Sequence, residues 1–284
     1  MSATPAETRS GVKSEATFLA AGAETLRNGY VLTGRNMRHV ARIPGRITTG
    51  LVQPIMFVVL FAFVFGGSLG GEDYRRFLMA GIFAQSMVFN ASFTTVGLAN
   101  DLQKGIVERF RSLPMSPLAV ILGRTTSDMV VGVATLVVTA LCGLLVGWRV
   151  EGSFADMVLA FGVLVLFGFA MSWVGATVGV FARTVEVAQS AGLIWLFPFS
   201  LISTAFVSAE NMPTPLREFA AWNPVSAVAT SVRDLLGNPT PANLPQPDTW
   251  SLQHPTLYAV LSSLVVLAVF MPLVLMRYRR LTRG

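Results

Sequence analysis

Six stretches of this 284-residue chain stay apolar for a long run of residues. An α-helix needs about 20 residues to cross roughly 30 Å of hydrocarbon. The stretches at about 47–69, 77–99, 126–147, 157–181, 187–209 and 256–276 each reach that length. The pattern predicts an all-α, polytopic membrane protein with six transmembrane helices. The second stretch stands apart, because Gln85, Asn90 and several Ser and Thr residues make it polar. Polar side chains facing lipid without partners are costly, so this helix is expected to lie buried among the others.

Outside these stretches a helical period recurs in three places. From about residue 23 to 42, Leu26, Tyr30, Thr33, Met37, Val40 and Ala41 fall within an arc of about 100° on a helical wheel. Arg27, Arg35, Arg38 and Arg42 occupy a separate arc of about 80°. This suits an amphipathic helix in the headgroup layer; a solvated helix with a charged face is the plainer reading. Pro44-Gly45 then turns the chain into the first span. Residues 1–22 are small, polar and aperiodic, which predicts a flexible tail ahead of one membrane domain over 23–284. The long connection 210–255 holds two short helical patterns, Thr214–Ala221 and Pro224–Leu236. Each starts at or beside a proline, which a first helical turn tolerates. They are expected to cap the bundle or re-enter it before the last span.

The third place is DLQKGIVERFRSL, residues 101–113, between the second and third spans. Leu102, Ile106, Val107, Phe110 and Leu113 form one apolar stripe, while Lys104, Glu108, Arg109 and Arg111 project elsewhere. Pro114 and Pro117 end the pattern. A short, rigidly terminated amphipathic helix of this kind suits docking into a groove of another protein; resting on the membrane surface is the alternative. Beyond it, Arg124 and Asp128 are four residues apart at the start of the third helix, a spacing that allows a structural ion pair on one face.

Charge then fixes an orientation. Six spans put both termini on one side, and 16 of the 21 Lys and Arg residues fall on that side. The other five are Arg75, Arg76, Arg149, Arg217 and Arg233. The positive-inside rule places both termini in the cytoplasm. This distribution also accounts for the net charge of +6 without nucleic acid as a partner. With a mean hydropathy of +0.61 the chain is too apolar for a soluble domain. No cleavable signal peptide is read, since ATFLAAGA (16–23) is short for a hydrophobic core and Glu15 stands where a basic residue belongs.

Several chemistries are excluded by what the sequence lacks. A P-loop needs Gly-Lys-Ser/Thr, and the two lysines follow Val12 and Gln103. Cys142 is alone, and His39 and His254 are far apart, so no metal site is read. No ionisable residue lies near the middle of a proposed span, which disfavours a proton- or cation-coupled carrier. GATVG (175–179) and GLLVG (143–147) are GxxxG steps suited to close packing or to a dimer seam. Gln53, Gln85, Asn90, Phe93, Gln189 and Phe197 are the candidates for a weakly polar, aromatic cargo path, with ordinary packing as their plainer reading.

Three segments carry a resemblance. RNMRHVARIPGRITTGLVQPIMFVVLFAFVFGG, ERFRSLPMSPLAVILGR and NMPTPLREFAAWNPVSAVATSVRDLL resemble, in that order, segments of the permease subunits of type-2 ABC exporters, and among them the daunorubicin-resistance-like drug permeases. The resemblance covers about residues 25–280. It implies a non-enzymatic half-transporter in the bacterial plasma membrane that pairs with a second permease copy, in a homo- or heterodimer. Two separate ATPase subunits would hold the ATP and magnesium, with no cofactor on this chain. It further implies that QKGIVERFRSLPMSP (103–117) is the coupling helix between the second and third spans, with Leu102, Ile106, Glu108, Arg109, Phe110 and Arg111 as docking contacts, and that the 23–42 helix lies near the ATPase. The phenylalanine-rich spans favour a hydrophobic drug, antibiotic or lipid-like cargo. A non-transporting membrane scaffold and a secondary carrier are the competing readings.

Overall fold

The structure, a computed structural model, describes residues 44–65, 71–104, 117–209, 212–238, 240 and 246–283. The arginine-bearing helix at 23–42 lies outside the described residues, as do Ile106, Glu108, Arg109, Phe110 and Arg111. All regular structure among the described residues is helical. In chain order it comprises α1 (Pro44–Val59, continued by π-type winding over Leu60–Phe65), α2 (Gly71–Gln103), α3 (Pro117–Leu145) and α4 (Phe154–Phe181). Then follow α5 (Val185–Leu201), α6 (Thr214–Trp222), α7 (Pro224–Leu235), α8 (Trp250–Gln253) and α9 (Pro255–Arg283).

Local chemistry sets several boundaries. Ser153 and Asp156 form a reciprocal capping box that starts α4, and the Thr184 hydroxyl accepts from the Val187 N–H at the start of α5. Gly147, with φ of 95°, makes the turn that follows α3. The fifth apolar stretch was expected to remain helical to residue 209, but α5 ends at Leu201. Pro198 lies in its last turn and has no N–H to donate to the carbonyl one turn back. The following residues run as bends and turns.

Helices lie over each of the six apolar stretches. Four of them (Tyr74–Gln103, Leu118–Leu145, Phe154–Phe181 and Pro255–Arg280) are long and apolar enough to cross a bilayer. The 17 residues of α5 span about 26 Å at the standard helical rise. Polarity sorts the layers. In the most apolar window of α2, 83% of residues are buried inside the protein, against 17% in that of α9. The polar α2 is thus the central helix, while α9 exposes Leu261, Leu264, Val265 and Val269.

The tightest seam is between α2 and α4. A Cβ added at Gly175 would collide with the Ala91 carbonyl, and one at Gly179 would lie 2.6 Å from the Thr95 carbonyl oxygen. The GATVG step is therefore used within the chain, letting two helix backbones approach. The Thr95 hydroxyl adds a 3.0 Å hydrogen bond to the Gly175 carbonyl. Trp173, Phe167 and Leu164 fill the rest of the α4 face and are fully buried.

This packing predicts that Gly175→Val or Gly179→Val destabilises the protein by about 1–3 kcal/mol through overpacking. The melting temperature in detergent should fall for both variants. It should hold for Gly162→Ala, whose added Cβ meets nothing within 4 Å.

Candidate functional site

A cleft of about 40 Å³ opens where α1 and α3 meet the central helix. From α2 it is lined by Ile82, Gln85, Ser86, Phe89, Asn90, Ser92 and Phe93, which share one face at helical spacing. Gln53, Pro54 and Phe57 of α1 form the second wall, and Thr135 of α3 contributes a hydroxyl. Among the described residues the lining is amide, hydroxyl and phenyl with one proline and one isoleucine, and it includes no charged side chain. Gln85 donates to the Ser200 hydroxyl at 3.5 Å, and the Asn90 amide donates to the Asp128 carbonyl at 3.1 Å. The Phe89 and Phe197 rings meet edge to face, with centroids 5.0 Å apart.

Below the cleft, toward the connection between α2 and α3, lies a cluster of charges. Arg124 Nε donates to Asp128 Oδ2 at 2.9 Å, its Nη1 reaches Asp101 Oδ2 at 3.3 Å, and its Nη2 donates to the Phe93 carbonyl at 3.2 Å. The Thr94 hydroxyl donates to the same Asp128 oxygen at 2.9 Å. Arg124 and Asp128 are both buried. The expected i,i+4 pair is present, and it is one edge of a network joining two helices.

At the opposite end, the irregular stretch after α5 is buried from Ser203 to Phe206, and side chains of the α6–α7 unit complete its hydrogen bonds. Asn223 caps α7 by accepting from the Val225 N–H, while its amide nitrogen donates to the carbonyls of Phe199 (2.7 Å) and Ile202 (2.8 Å). The Ser226 hydroxyl accepts from the Thr204 N–H at 2.9 Å. Arg233 donates to the carbonyls of Phe77, Thr204 and Ala205 at 3.1, 3.2 and 2.5 Å, and its guanidinium lies 3.7 Å over the Phe77 ring. Complete burial pushes its pKa down to about 9, with the adjacent Asp234 opposing the shift, so it keeps its charge at neutral pH. Asp234 is raised by its own burial, with the attraction of Arg233 opposing.

The structure brings Gln53, Gln85, Asn90 and Phe93 together around one cleft. Phe197 adjoins it only through Phe89, and Gln189 is exposed on α5 and does not line it. Leu102, the described member of the docking set, is partly buried against the cluster that contains Trp173 and Tyr278. Sequence reasoning missed Asn223 and Arg233. Their signal was present in the Asn-Pro-Val cap motif and in an arginine within the apolar repeat Val225, Val228, Val232.

A helical bundle with four long apolar helices and a polar central helix is that of a multi-pass membrane protein. The chain belongs to the ABC-2 type transporter family, whose profile matches residues 27–236 and takes in all three segments that carry the resemblance. It is 33% identical over 204 residues to the daunorubicin resistance ABC transporter permease protein DrrB1 of Streptomyces coeruleorubidus, covering 71% of this chain and 72% of that one. The doxorubicin resistance ABC transporter permease protein DrrB of Mycobacterium tuberculosis is 26% identical over 263 residues, covering 86% and 90%. The putative transport permease ycf38 of Porphyra purpurea is 24% identical over 226 residues, covering 76% of each chain.

Asn223 separates two roles in one side chain. Asn223→Asp keeps the cap acceptor but turns a second oxygen toward two carbonyls, whereas Asn223→Ala removes both functions. Each buried carbonyl left without a donor costs about 1–3 kcal/mol. The aspartate variant should therefore lower the melting temperature in detergent at least as far as the alanine variant. A clearly milder aspartate would assign the role to the cap alone.

Proposed function

We propose that this chain is the membrane permease of an ATP-binding-cassette exporter that moves a hydrophobic drug, antibiotic or lipid-like cargo out across the bacterial plasma membrane. Membership of the family over residues 27–236 is the observation that carries the reading. The drug-resistance names of two relatives and the phenyl-and-amide cleft support the cargo class. Six crossings with both ends cytoplasmic agree with the basic residues, 16 on one side and five on the other. On this topology Arg233 stabilises the outer cap from within.

In this reading two permease copies stand over two ATPase subunits, which bind ATP and magnesium. Residues 102–111 dock into the ATPase, and Arg27, Arg35, Arg38 and Arg42 lie on the cytoplasmic helix beside it. The cleft is far smaller than the 300 Å³ or more of a typical drug-sized pocket. Loading therefore requires α1 to part from α2, and Pro54 weakens the helix at that wall.

Two measurements bear on this. The cognate ATPase should co-purify with the wild-type chain from membranes and be lost with Glu108→Ala/Phe110→Ala. Equal recovery with the double variant would refute the docking role of 102–111. In inside-out vesicles supplied with ATP, Phe93→Ala should raise the KM for daunorubicin uptake several-fold with little change in kcat, the signature of lost uniform binding. An unchanged KM would remove Phe93 from the path.

A further inference from the structure

We propose that Arg124 is a positioning residue that fastens the cytoplasmic ends of α2 and α3 to the wall of the cleft, so that movement at those ends is delivered to the cleft. This rests on the exporter reading given above and names the part of the chain that would carry its mechanical step.

The geometry is specific. Arg124 stands two turns into α3, and its fork spans α2 from the Asp101 carboxylate to the Phe93 carbonyl. Asp128, one turn further along α3, is held by Arg124 and by Thr94 through the same carboxylate oxygen, and by Asn90 through its carbonyl. From Asn90 to Asp101 the bonded face of α2 extends about 16 Å at the helical rise. Two of its four anchors belong to the cleft itself. Phe93 is held by its carbonyl while its ring lines the cavity, and Asn90 is held by its amide while its side chain forms the same wall.

Apolar helix contacts set register only through the fit of side chains, whereas directional hydrogen bonds to an arginine fork fix it at named atoms. The fork also fills a place that only glycine leaves open, since a Cβ at Gly97 would fall on the guanidinium. Burial makes the cluster act as a unit, because a charge that loses its partner away from water is strongly disfavoured. Being buried, Arg124 is unsuited to be a docking contact. Its role is to make α2 and α3 one body between the docking segment and the cleft.

The test uses the permease assembled with its cognate ATPase in nanodiscs. The native Cys142 is replaced, and spin labels are placed at the exposed Val52 of α1 and Val133 of α3. The label distance is measured with and without ATP and vanadate, beside ATPase recovery and hydrolysis rate. In the wild type, trapping should shift the distance. In Arg124→Met and in Gly97→Ala, which displaces the fork without removing its charge, the ATPase should still co-purify and hydrolyse while the shift is lost. Daunorubicin moved per ATP should fall about fivefold or more. Arg124→Lys, with the charge but no fork, should be intermediate.

A distance shift that persists in both Arg124→Met and Gly97→Ala would overturn the proposal, as would transport and hydrolysis declining in parallel. If Arg124→Met does not assemble, Asp101→Asn takes its place, because that carboxylate is about one third exposed (32%) and its loss is better tolerated. Absence of the ATPase from the wild-type preparation would overturn the exporter reading and this inference with it.

Discussion

A buried backbone that leaves helical geometry must find its hydrogen bonds within the protein, because no water reaches it to supply them. That constraint organises one end of this molecule. At and past the end of α5, the carbonyls of Phe199 and Ile202 lack helical partners, as do carbonyls and an N–H of the buried stretch from Ser203 to Phe206. The partners come from 20 to 30 residues later, from Asn223, Ser226 and Arg233. The pair α6–α7 thus completes α5, and it must be held in register to do so. Its own supports follow: Ser251 donates to the Ala221 carbonyl, Tyr258 to that of Trp222, and Ser231 meets Thr256.

The two ends of the central helix are held by different chemistry. At one end a guanidinium meets three neutral carbonyls and an aromatic face; at the other a guanidinium meets two carboxylates and one carbonyl. Carboxylates add strong attraction, and Asp128 becomes a buried unpaired charge if its contact breaks, whereas Asp101 is partly open to solvent. Carbonyls are weaker acceptors, but releasing them strands the fully buried guanidinium of Arg233 in the same way. Both ends of α2 are therefore held by a buried guanidinium that cannot lose its partners cheaply.

Much of this was legible in the sequence, and the limits were physical. Hydropathy located the long helices, prolines located the starts of the two short ones, and the polar residues of the second stretch marked it as interior. The Arg124–Asp128 pair was readable because it is local, four residues on one helix; its reach to Asp101, Thr94 and Phe93 depends on how α2 docks and has no local signature. The early end of α5 was hidden because SLISTAFVSA continues apolar, and a hydropathy window cannot see that a turn is broken. Gln85 and Gln189 looked equivalent in sequence. Only packing decided that one lines the cleft and the other is exposed. Arg233 was counted among loop cations, since a charge tally gives every outer arginine the same weight, whereas its neighbours Val228, Val232 and Leu236 mark a buried helical face.

The chemistry of the cleft bears on where the energy must enter. A carrier driven by an ion gradient needs a group that binds and releases the ion along the path. The residues lining this cleft are amides, hydroxyls, a proline, an isoleucine and phenylalanines, none of which titrates near neutral pH. Its walls hold no protonation switch of that kind, and their shape is set by how α1, α2 and α3 pack. The buried charges lie at the end of the cleft, are bonded to its lining, and join α2 to α3. On the exporter reading proposed above, the work that moves these helices would come from outside the cleft, with the nucleotide chemistry on the ATPase rather than on this chain.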